Sequence, residues 1–271
     1  NMSERAPETG FGEFPSLISP EALESWILEE TTDYYVINKP GWVVCHPSKN
    51  GPWSSLVGAL REYSGSGRLH LVSRLDRETS GLVIVAKHRA AASRMQTAFA
   101  RRNTRKSYWA LLEGSFQEAR RAESVLERDT ASEVAIKQRV SFGRGKLAVT
   151  DFTPCQYGGG LTLCRVIPES GRKHQIRAHA AWLDHPVLGD KIYGPDAAHY
   201  LSFIEHGFTD VLRDALKIER QALHASELEV WGEGWKLDFH APLTEDFTGW
   251  LLGAGMNNPD YDRPPVKKVA E

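Results

Sequence analysis

The sequence contains few cysteines, no long apolar run and little net charge, and each shortage excludes a class of protein. The three cysteines, Cys45, Cys155 and Cys164, are an odd number without Cys-x-x-Cys spacing, which does not suit a disulfide framework or a zinc site. No apolar run approaches the roughly 18 residues that a membrane-spanning helix needs. The first residues also lack the basic and apolar regions of a signal peptide. We therefore expect a soluble, cytoplasmic protein with reduced thiols and no bound metal.

The composition is that of an ordinary globular protein. The 271 residues are 41% hydrophobic and 25% charged, which is enough to bury a sizeable core. Residues 1–15 contain glycine, proline and acids, and residues 256–271 are polar and rich in proline, so we expect both ends to be disordered tails. We predict a single domain of enzyme size over residues 16–255 and expect it to be a monomer.

Strand and helix patterns follow one another without the regular alternation of a parallel α/β fold. Runs rich in β-branched and aromatic residues predict strands at Asp33–Lys39, Leu82–Lys87, Ser107–Glu113, Leu147–Tyr157, Leu161–Pro168 and Leu223–Val230. Helices are predicted at Pro20–Glu29, His88–Arg102, His174–Leu183 and Asp210–Leu216, with a helical insertion over Ala197–Gln221. Short turns between neighbouring strands favour an α+β fold, with a largely antiparallel mixed sheet and flanking helices.

A glycine-rich turn at Gly158–Gly160 predicts that the strands on either side of it form a hairpin. The expected register places Cys155 nearest Leu163 and points Cys155 and Cys164 to opposite faces of the sheet. We therefore expect no disulfide between these two cysteines.

The net charge of −2 conceals a strongly basic zone. Between Arg68 and Lys106, ten Lys or Arg residues stand against two acids, which gives a local charge of +8. Such a zone is typical of a phosphate-binding surface, although most charged runs on helices are only solvated faces. Charge alone therefore suggests a nucleic-acid partner without deciding it.

The run Ser73–Gly81, SRLDRETSG, places Asp76 between Arg74 and Arg77 in a loop that separates two apolar runs. An aspartate in a turn commonly caps backbone N–H groups, and Asp76-x-x-Thr79 suits such a turn. A structural role for Asp76 is therefore the alternative against which any catalytic role must be judged.

A second charged run, GRKHQIRAH, enters the predicted helix at His174. Helical spacing puts Lys173 and Arg177 on one face, four residues apart, with His174 beside them. Like charges at this spacing repel, and that cost is easier to accept if a phosphate or a carboxylate from elsewhere lies among them. The alternative is a solvated basic helix start.

Several motifs, in a fixed order, resemble those of the RluA-type pseudouridine synthases. They are VINKPGWVVCHP, SRLDRETSGL, KSYWALLEG, GRKHQIRAHAAWLDHPVLGDKIYG and QALHA. The resemblance runs from about Tyr34 to about Leu243, and an ordered series of motifs is far more specific than any one of them.

The resemblance implies an enzyme that isomerises uridine to pseudouridine in ribosomal or transfer RNA, with no cofactor or metal. By match to the motifs, it implies that Asp76 is the catalytic aspartate, Tyr108 the active-site tyrosine and Arg177 the active-site arginine. We expect Arg177 to hold Asp76 bidentately in its ionised form. The resemblance assigns Arg74 to the space that the flipped base vacates. Further RNA contacts are predicted for Arg77, Arg105, Lys106, Arg172, Lys173 and His174.

Some points stay open at the level of sequence. Ser73 stands where the family usually has histidine, which puts local loop packing or RNA contact in doubt. Asp76 has three possible roles: attack on C6 of the uracil, attack on C1′, or abstraction of a sugar proton. Lys39, in NKPGW, is interpreted as part of a turn that closes a strand. Two alternative functions stay open. One is a catalytically silent RNA-binding protein. The other is a glycoside or nucleoside hydrolase, but such an enzyme needs two opposed carboxylates, and the segment around Asp76 offers only Glu78 as the second.

Overall fold

The computed structural model describes residues 17–47, 50–143 and 145–259. The strands are β1 (Ile27–Glu30), β2 (Tyr34–Lys39), β3 (His70–Leu71), β4 (Ser80–Ala86), β5 (Thr104–Glu113), β6 (Arg120–Arg128), β7 (Gln138–Ser141), β8 (Leu147–Gly158), β9 (Leu161–Pro168), β10 (Leu223–Gly232) and β11 (Trp235–His240). The α-helices are α1 (Pro20–Trp26), α2 (Leu56–Ser64), α3 (Arg89–Ala100), α4 (Gln175–Trp182), α5 (Ala198–His206), α6 (Asp210–Leu216) and α7 (Glu245–Gly253), and Pro52–Ser54 forms one 3₁₀ turn.

The eleven strands of the described chain form one sheet. Nine of them follow the order β1-β2-β4-β10-β5-β9-β8-β6-β7, while β3 pairs with β4 and β11 with β10. Only the pairing of β4 with β10 is parallel among these strands, with Ser80 opposite His224 and Gly81 opposite Ala225. The predicted α+β fold, a largely antiparallel mixed sheet with flanking helices, is confirmed.

Strand β2 shows that this half of the sheet is covered on both faces. Tyr35 and Ile37 pack in an apolar cluster beneath α1 and α2, whereas Tyr34 and Val36 pack in a second cluster with residues of α3. Alternate side chains of a strand point to opposite faces. The uninterrupted apolar run YYVI therefore reflects burial on both sides.

The other half of the sheet packs against α4 and α7. Ile176 of α4 and Phe247 of α7 are buried in one cluster with Phe152 of β8 and Leu163 of β9. Burial of this apolar face fixes α4 against the sheet. Arg177, the next residue of α4, is thereby held in a defined position.

Every strand and helix that the sequence predicts is present; β9 and α6 have the predicted ends, and the others differ by a few residues. Helix α1 ends at Trp26 rather than Glu29, because the following residues form β1 and pair with β2. Helices α5 and α6 confirm the predicted helical insertion over Ala197–Gln221.

Some elements have no clear signal in the sequence. Strand β6 has the sequence RRAESVLER, in which charged residues predominate, so it lacks the apolar content that predicts a strand. Helices α2 and α7 each contain glycine, which lowers helix propensity. Strands β1, β7 and β11 are short.

The predicted hairpin is formed by β8 and β9, with an irregularity at Cys155. Pro154 faces Cys164 and Gln156 faces Leu163, so Cys155 is the extra residue of a bulge. Cys155 is exposed, whereas Cys164 is buried, and all three cysteines are free thiols. Leu163 therefore faces Gln156 and not Cys155, its predicted neighbour, because the bulge shifts the register by one residue.

Ordered packing continues past the predicted start of the C-terminal tail at residue 256. Met256 is buried in the core, and the backbone N–H of Asn257 donates to the side chain of Gln156 at 3.0 Å. Residues 1–16 and 260–271, which contain most of the two predicted tails, lie outside the described residues. A helix suited to spanning a bilayer is not found in the described ranges.

Gly81 is required where β4 meets β10, and its replacement is expected to destabilise the fold. Its φ is 112°, and a Cβ would lie 2.2 Å from the carbonyl oxygen of Ala225. We expect Gly81→Ala to lower the free energy of unfolding by about 2–4 kcal/mol, from backbone strain and overpacking together. Urea unfolding measures this loss.

Gly160→Ala is the matched control for Gly81→Ala. Gly160 also has a positive φ, 75°, but no atom lies within 4 Å of its added Cβ. We expect a loss of about 1 kcal/mol there. Equal losses for the two variants would contradict the proposed steric contact with Ala225.

Candidate active site

Asp76 lies in the loop between β3 and β4, where its backbone and its side chain have different partners. The carbonyl oxygen of Asp76 accepts the backbone N–H of Thr79 at 3.1 Å, which closes the turn. The carboxylate Oδ2 instead accepts Nη1 of Arg177 at 2.9 Å, and 32% of the Asp76 side chain is exposed. The turn therefore does not depend on the carboxylate, which rules against a purely capping role.

Arg177 bridges two carboxylates. Its Nε and Nη2 donate to Asp190 at 2.6 and 2.9 Å, and its Nη1 donates to Asp76. The bidentate pair that the sequence analysis expects with Asp76 forms instead with Asp190, through the Nε and Nη2 edge of the planar guanidinium. Burial alone would lower the pKa of Arg177, but the two carboxylates raise it, so the side chain is a permanent cation.

Asp190 is the residue that sequence reasoning misses at this site. Its side chain is fully buried, and its Oδ1 also accepts the backbone N–H groups of Ile192 and Tyr193 at 2.9 and 3.0 Å. Burial tends to raise the pKa of Asp190, but Arg177 and these N–H groups hold it below its usual value. Asp190 is the acid of GDKIYG, which belongs to one of the motifs that carry the family resemblance. The resemblance assigns no role to it.

The same balance keeps Asp76 ionised. Burial tends to raise the pKa of Asp76, but the charge and the hydrogen bond of Arg177 overcome that tendency and lower it. Asp76 therefore carries a negative charge at neutral pH, while the described residues donate one hydrogen bond to its carboxylate.

His174 approaches Asp76 from the start of α4. Its backbone is left-handed, with φ of 53°, a strained conformation that occurs often at functional sites. Its Nδ1 lies 3.0 Å from the hydroxyl of Tyr193, which itself accepts the backbone N–H of Gln138. Nε2 of His174 lies 3.8 Å from Oδ2 of Asp76. Burial, together with Arg177, lowers the pKa of His174 to about 4, so the ring is neutral.

Tyr108 lies on β5 and lines a cleft that reaches Asp76. This first cleft has a volume of about 520 Å³ and is bounded by the Asp76 loop, β5 and the segment before α4. Burial, and to a lesser extent Asp76, raises the pKa of Tyr108 far above neutrality, so the phenol keeps its proton. Lys106, two residues earlier on the same face of β5, also lines this cleft.

A second cleft of about 540 Å³ also reaches Asp76. It lies between the Asp76 loop, residues 44–47 and helix α5. Both clefts are lined by Arg74, Leu75, Asp76, His174 and Arg177. The candidate catalytic carboxylate thus lies where the two clefts meet.

The structure brings most of the predicted RNA-contacting residues to these clefts, but not Arg105. Arg74 is exposed and lines both clefts, Lys106 and Arg172 line the first, and Arg77 and Lys173 line the second. Arg105 points to the opposite face of β5 from Tyr108 and lies 3.9 Å from Glu229. Strand alternation accounts for this difference, since neighbouring residues face opposite sides.

Comparison with known proteins identifies the family. Residues 33–182 match the RNA pseudouridylate synthase family. This chain belongs to that family. Its predicted activity, the isomerisation of uridine to pseudouridine, follows from this membership, and the suspected resemblance is confirmed.

Named relatives agree with this assignment. Ribosomal large subunit pseudouridine synthase D of Vibrio parahaemolyticus is 32% identical over 247 residues, which cover 88% of this chain and 73% of the relative. The enzyme of the same name from Vibrio cholerae is 34% identical over 235 residues, covering 83% and 69%.

Solved structures share the fold of this synthase. Human RNA Pseudouridylate Synthase Domain Containing 1 has a TM-score of 0.63 and 25% identity, covering 86% of this chain and 96% of the human chain. Human RNA Pseudouridylate Synthase Domain Containing 4 has a TM-score of 0.67 at 24% identity, covering 89% and 97%.

A buried ionic network holds the loop that carries Asp76. Nζ of Lys191 donates to both carboxylate oxygens of Glu78 at 3.1 Å and to the carbonyl of Glu219. Arg220, fully buried, donates to the carbonyl of Glu78 at 2.9 Å. Glu78 is thus committed to Lys191, which removes it as the second carboxylate of a hydrolase.

Two further contacts fix the same loop. Lys39 is fully buried, and its Nζ donates to the carbonyls of Pro40 and Arg77 at 2.9 and 3.1 Å. The interpretation of Lys39 as a simple turn residue was therefore incomplete, since its amine anchors the residue that follows Asp76. Ser73, which replaces the family's usual histidine, accepts the backbone N–H of Ile84 at 3.2 Å and ties the loop to β4.

Arg177→Lys is expected to move the acid limb of the pH–rate profile upward. The lysine keeps the charge but loses the fork that serves Asp190 and Asp76 together, so burial raises the pKa of Asp76. Because Asp76 acts as an anion, activity would then be lost at a higher pH as the pH falls. We expect a shift of about one pH unit or more in single-turnover rates.

Arg172→Lys serves as the control for Arg177→Lys. Arg172 lines the first cleft, but no contact joins it to Asp76 among the described residues, so its acid limb should match that of the wild type. Thermal melts would verify that both variants fold. An acid limb that does not move in folded Arg177→Lys would show that this guanidinium does not set the ionisation of Asp76.

Proposed function

We propose that this synthase modifies uridine in ribosomal or transfer RNA, with Asp76 as its catalytic carboxylate. The relatives named for the ribosomal large subunit make that RNA the first substrate to test. We further propose that residues 16–255 act as one catalytic domain, as a monomer in the cytoplasm.

One observation carries the assignment of Asp76. Its carboxylate is held ionised by Arg177 through a single hydrogen bond, stays partly exposed, and lies where the two clefts meet. A carboxylate in this setting keeps free lone pairs for a reacting atom. Asp190, the other acid on Arg177, is fully buried and saturated with donors, so it serves as a positioning residue.

Access to Asp76 requires that the target uridine leave its helix. Extrusion of a base costs a few kcal/mol of lost stacking and pairing. In our proposal the uracil enters the first cleft, where Tyr108 offers a flat ring and a neutral hydroxyl. Arg74, exposed at the junction of the clefts, fills the space that the uridine vacates, since its planar cation stacks on bases.

The reaction exchanges one bond for another within the same nucleotide. The C1′–N1 bond breaks, the C1′–C5 bond forms, and a proton leaves C5 while another is gained at N1, so substrate and product contain the same atoms. Asp76 is placed for each of the three possible steps: attack on C6, attack on C1′ or removal of a sugar proton. Tyr108 keeps its proton at neutral pH, so in our proposal its phenol serves as a hydrogen-bond or proton donor and not as the base that removes the C5 proton.

Asp76→Asn tests the catalytic assignment. Because the amide cannot act as a nucleophile or base, we expect pseudouridine formation to fall by roughly 10³-fold or more, while RNA affinity changes by less than about threefold. Mass spectrometry of digested RNA measures conversion, and filter binding measures affinity. Asp214→Asn, an exposed change on α6, is the control and should keep full activity. Undiminished turnover by Asp76→Asn would disprove the assignment.

Arg74→Ala tests the role in base extrusion. Loss of the Arg74 side chain should slow single turnover on a stem-loop by about tenfold or more. The stacking energy lost when the uridine flips out is then no longer offset by an arginine in the vacated space. On an unstructured strand that carries the same uridine, the effect should be under about threefold, since little stacking is lost. Arg89→Ala, an exposed arginine that lines neither cleft, should affect neither RNA. An equal loss on both RNAs would instead assign Arg74 to the chemical step or to general binding.

A further inference from the structure

The second cleft has no part in the proposed handling of the uracil. It is as large as the first, about 540 Å³ against about 520 Å³, and it opens on the same carboxylate. A single extruded base occupies only one side of Asp76. The RNA chain on either side of the target uridine must also pass close to this junction.

The far wall of the second cleft is apolar and aromatic. It is formed by Tyr200 and Ile204 of α5 and by Ile136 ahead of β7. Tyr200 and Ile136 pack on the same buried cluster, which contains Ile192 and Ala178, so this wall is fixed in place. Ile204 is 56% exposed and leaves apolar surface uncovered beside the Tyr200 ring.

The near wall is cationic. Lys173 is exposed, and Arg77 lies partly buried beside it on the cleft. The two acids that line the cleft are already paired, Asp76 with Arg177 and Glu78 with Lys191. A phosphate that enters the second cleft therefore meets the positive charges of Lys173 and Arg77, while both acids of the cleft are already paired with cations.

Apolar and aromatic surface opposite a cationic rim is the combination that binds single-stranded nucleic acid by stacking and phosphate contact. We propose that the second cleft is a subsite for the base of the nucleotide next to the target uridine in the same strand, stacked on Tyr200 and packed on Ile204. Its phosphate lies towards Lys173, and Arg74 separates it from the uracil in the first cleft. This inference rests on the proposed function.

The test uses short RNAs in which one neighbour of the target uridine is replaced by an abasic nucleotide, first on the 5′ side and then on the 3′ side. For the wild type, loss of the base at one of these positions should lower kcat/KM by about tenfold, the scale of one lost stacking contact. Ile204→Ser, a change at a largely exposed side chain, and Tyr200→Leu should each lower kcat/KM on intact RNA. For each variant, kcat/KM should be nearly the same on the abasic RNA as on intact RNA. The reason is that the base and the side chains on which it stacks contribute one shared interaction, which either change removes.

Leu201→Ala is the matched control, because Leu201 lies next to Tyr200 on α5 and is 38% exposed but does not line the second cleft. It should behave as the wild type on every RNA. Thermal melts check that Tyr200→Leu, which touches a buried cluster, remains folded. If Tyr200→Leu does not fold, Ile204→Ser still tests the subsite, because Ile204 is largely exposed.

The same comparisons are made as binding affinities in the Asp76→Asn background, which separates this subsite from the proposed function. Coupling in affinity without any pseudouridine formation by the wild type would support the subsite and overturn the proposed function. Pseudouridine formation without coupling at either neighbour, or losses that simply add, would overturn the subsite alone. The absence of both would overturn both.

Discussion

The site depends on how one buried guanidinium divides its hydrogen bonds. Arg177 is almost fully buried, and a cation in that setting is tolerated only when it is paired. Asp190 takes two of its N–H groups and is itself fully buried, so this pair satisfies most of the charge. Asp76 receives one N–H group of Nη1. It is therefore stabilised as an anion and oriented, yet its carboxylate is not saturated.

A bidentate pair between Arg177 and Asp76 would serve catalysis less well. Two parallel hydrogen bonds would occupy both oxygens of the carboxylate and lower its basicity further. The observed division holds Asp190 rigidly and leaves Asp76 able to take the catalytic role that we propose for it. Like charge between the two acids is offset by the guanidinium between them, as the lowered pKa of both carboxyl groups indicates.

Rigidity of the Asp76 loop comes from cations that bind its backbone. Lys39 and Arg220 donate to the carbonyls of Arg77 and Glu78, and Lys191 pairs with the Glu78 side chain. Lys39 ends β2, Lys191 lies between α4 and α5, and Arg220 precedes β10, so the loop is held by distant parts of the chain. Pre-organisation of this kind lets a catalytic group meet its substrate without reordering.

The basic zone of the sequence is not one surface in the fold. Three of its members form ion pairs away from the clefts: Lys87 with Glu30, Arg94 with Asp33, and Arg105 with Glu229. Others, including Arg74, Arg102 and Lys106, line the first cleft. A count of charge along the chain therefore overestimates the phosphate-binding surface, because helix and strand geometry distribute neighbouring residues over different faces.

The sequence by itself determined the family, the main strands and helices, and three residues, Asp76, Tyr108 and Arg177, that the fold brings to one site. Ordered motifs and period-two apolar runs are local properties, so they can be read along the chain. Only the tertiary structure decided that Arg177 gives its fork to Asp190 and that a second cleft meets Asp76. The contact between Arg177 and Asp76 joins residues 101 positions apart. Directional hydrogen bonds of a buried guanidinium depend on where packing places each partner, and no local pattern carries that information.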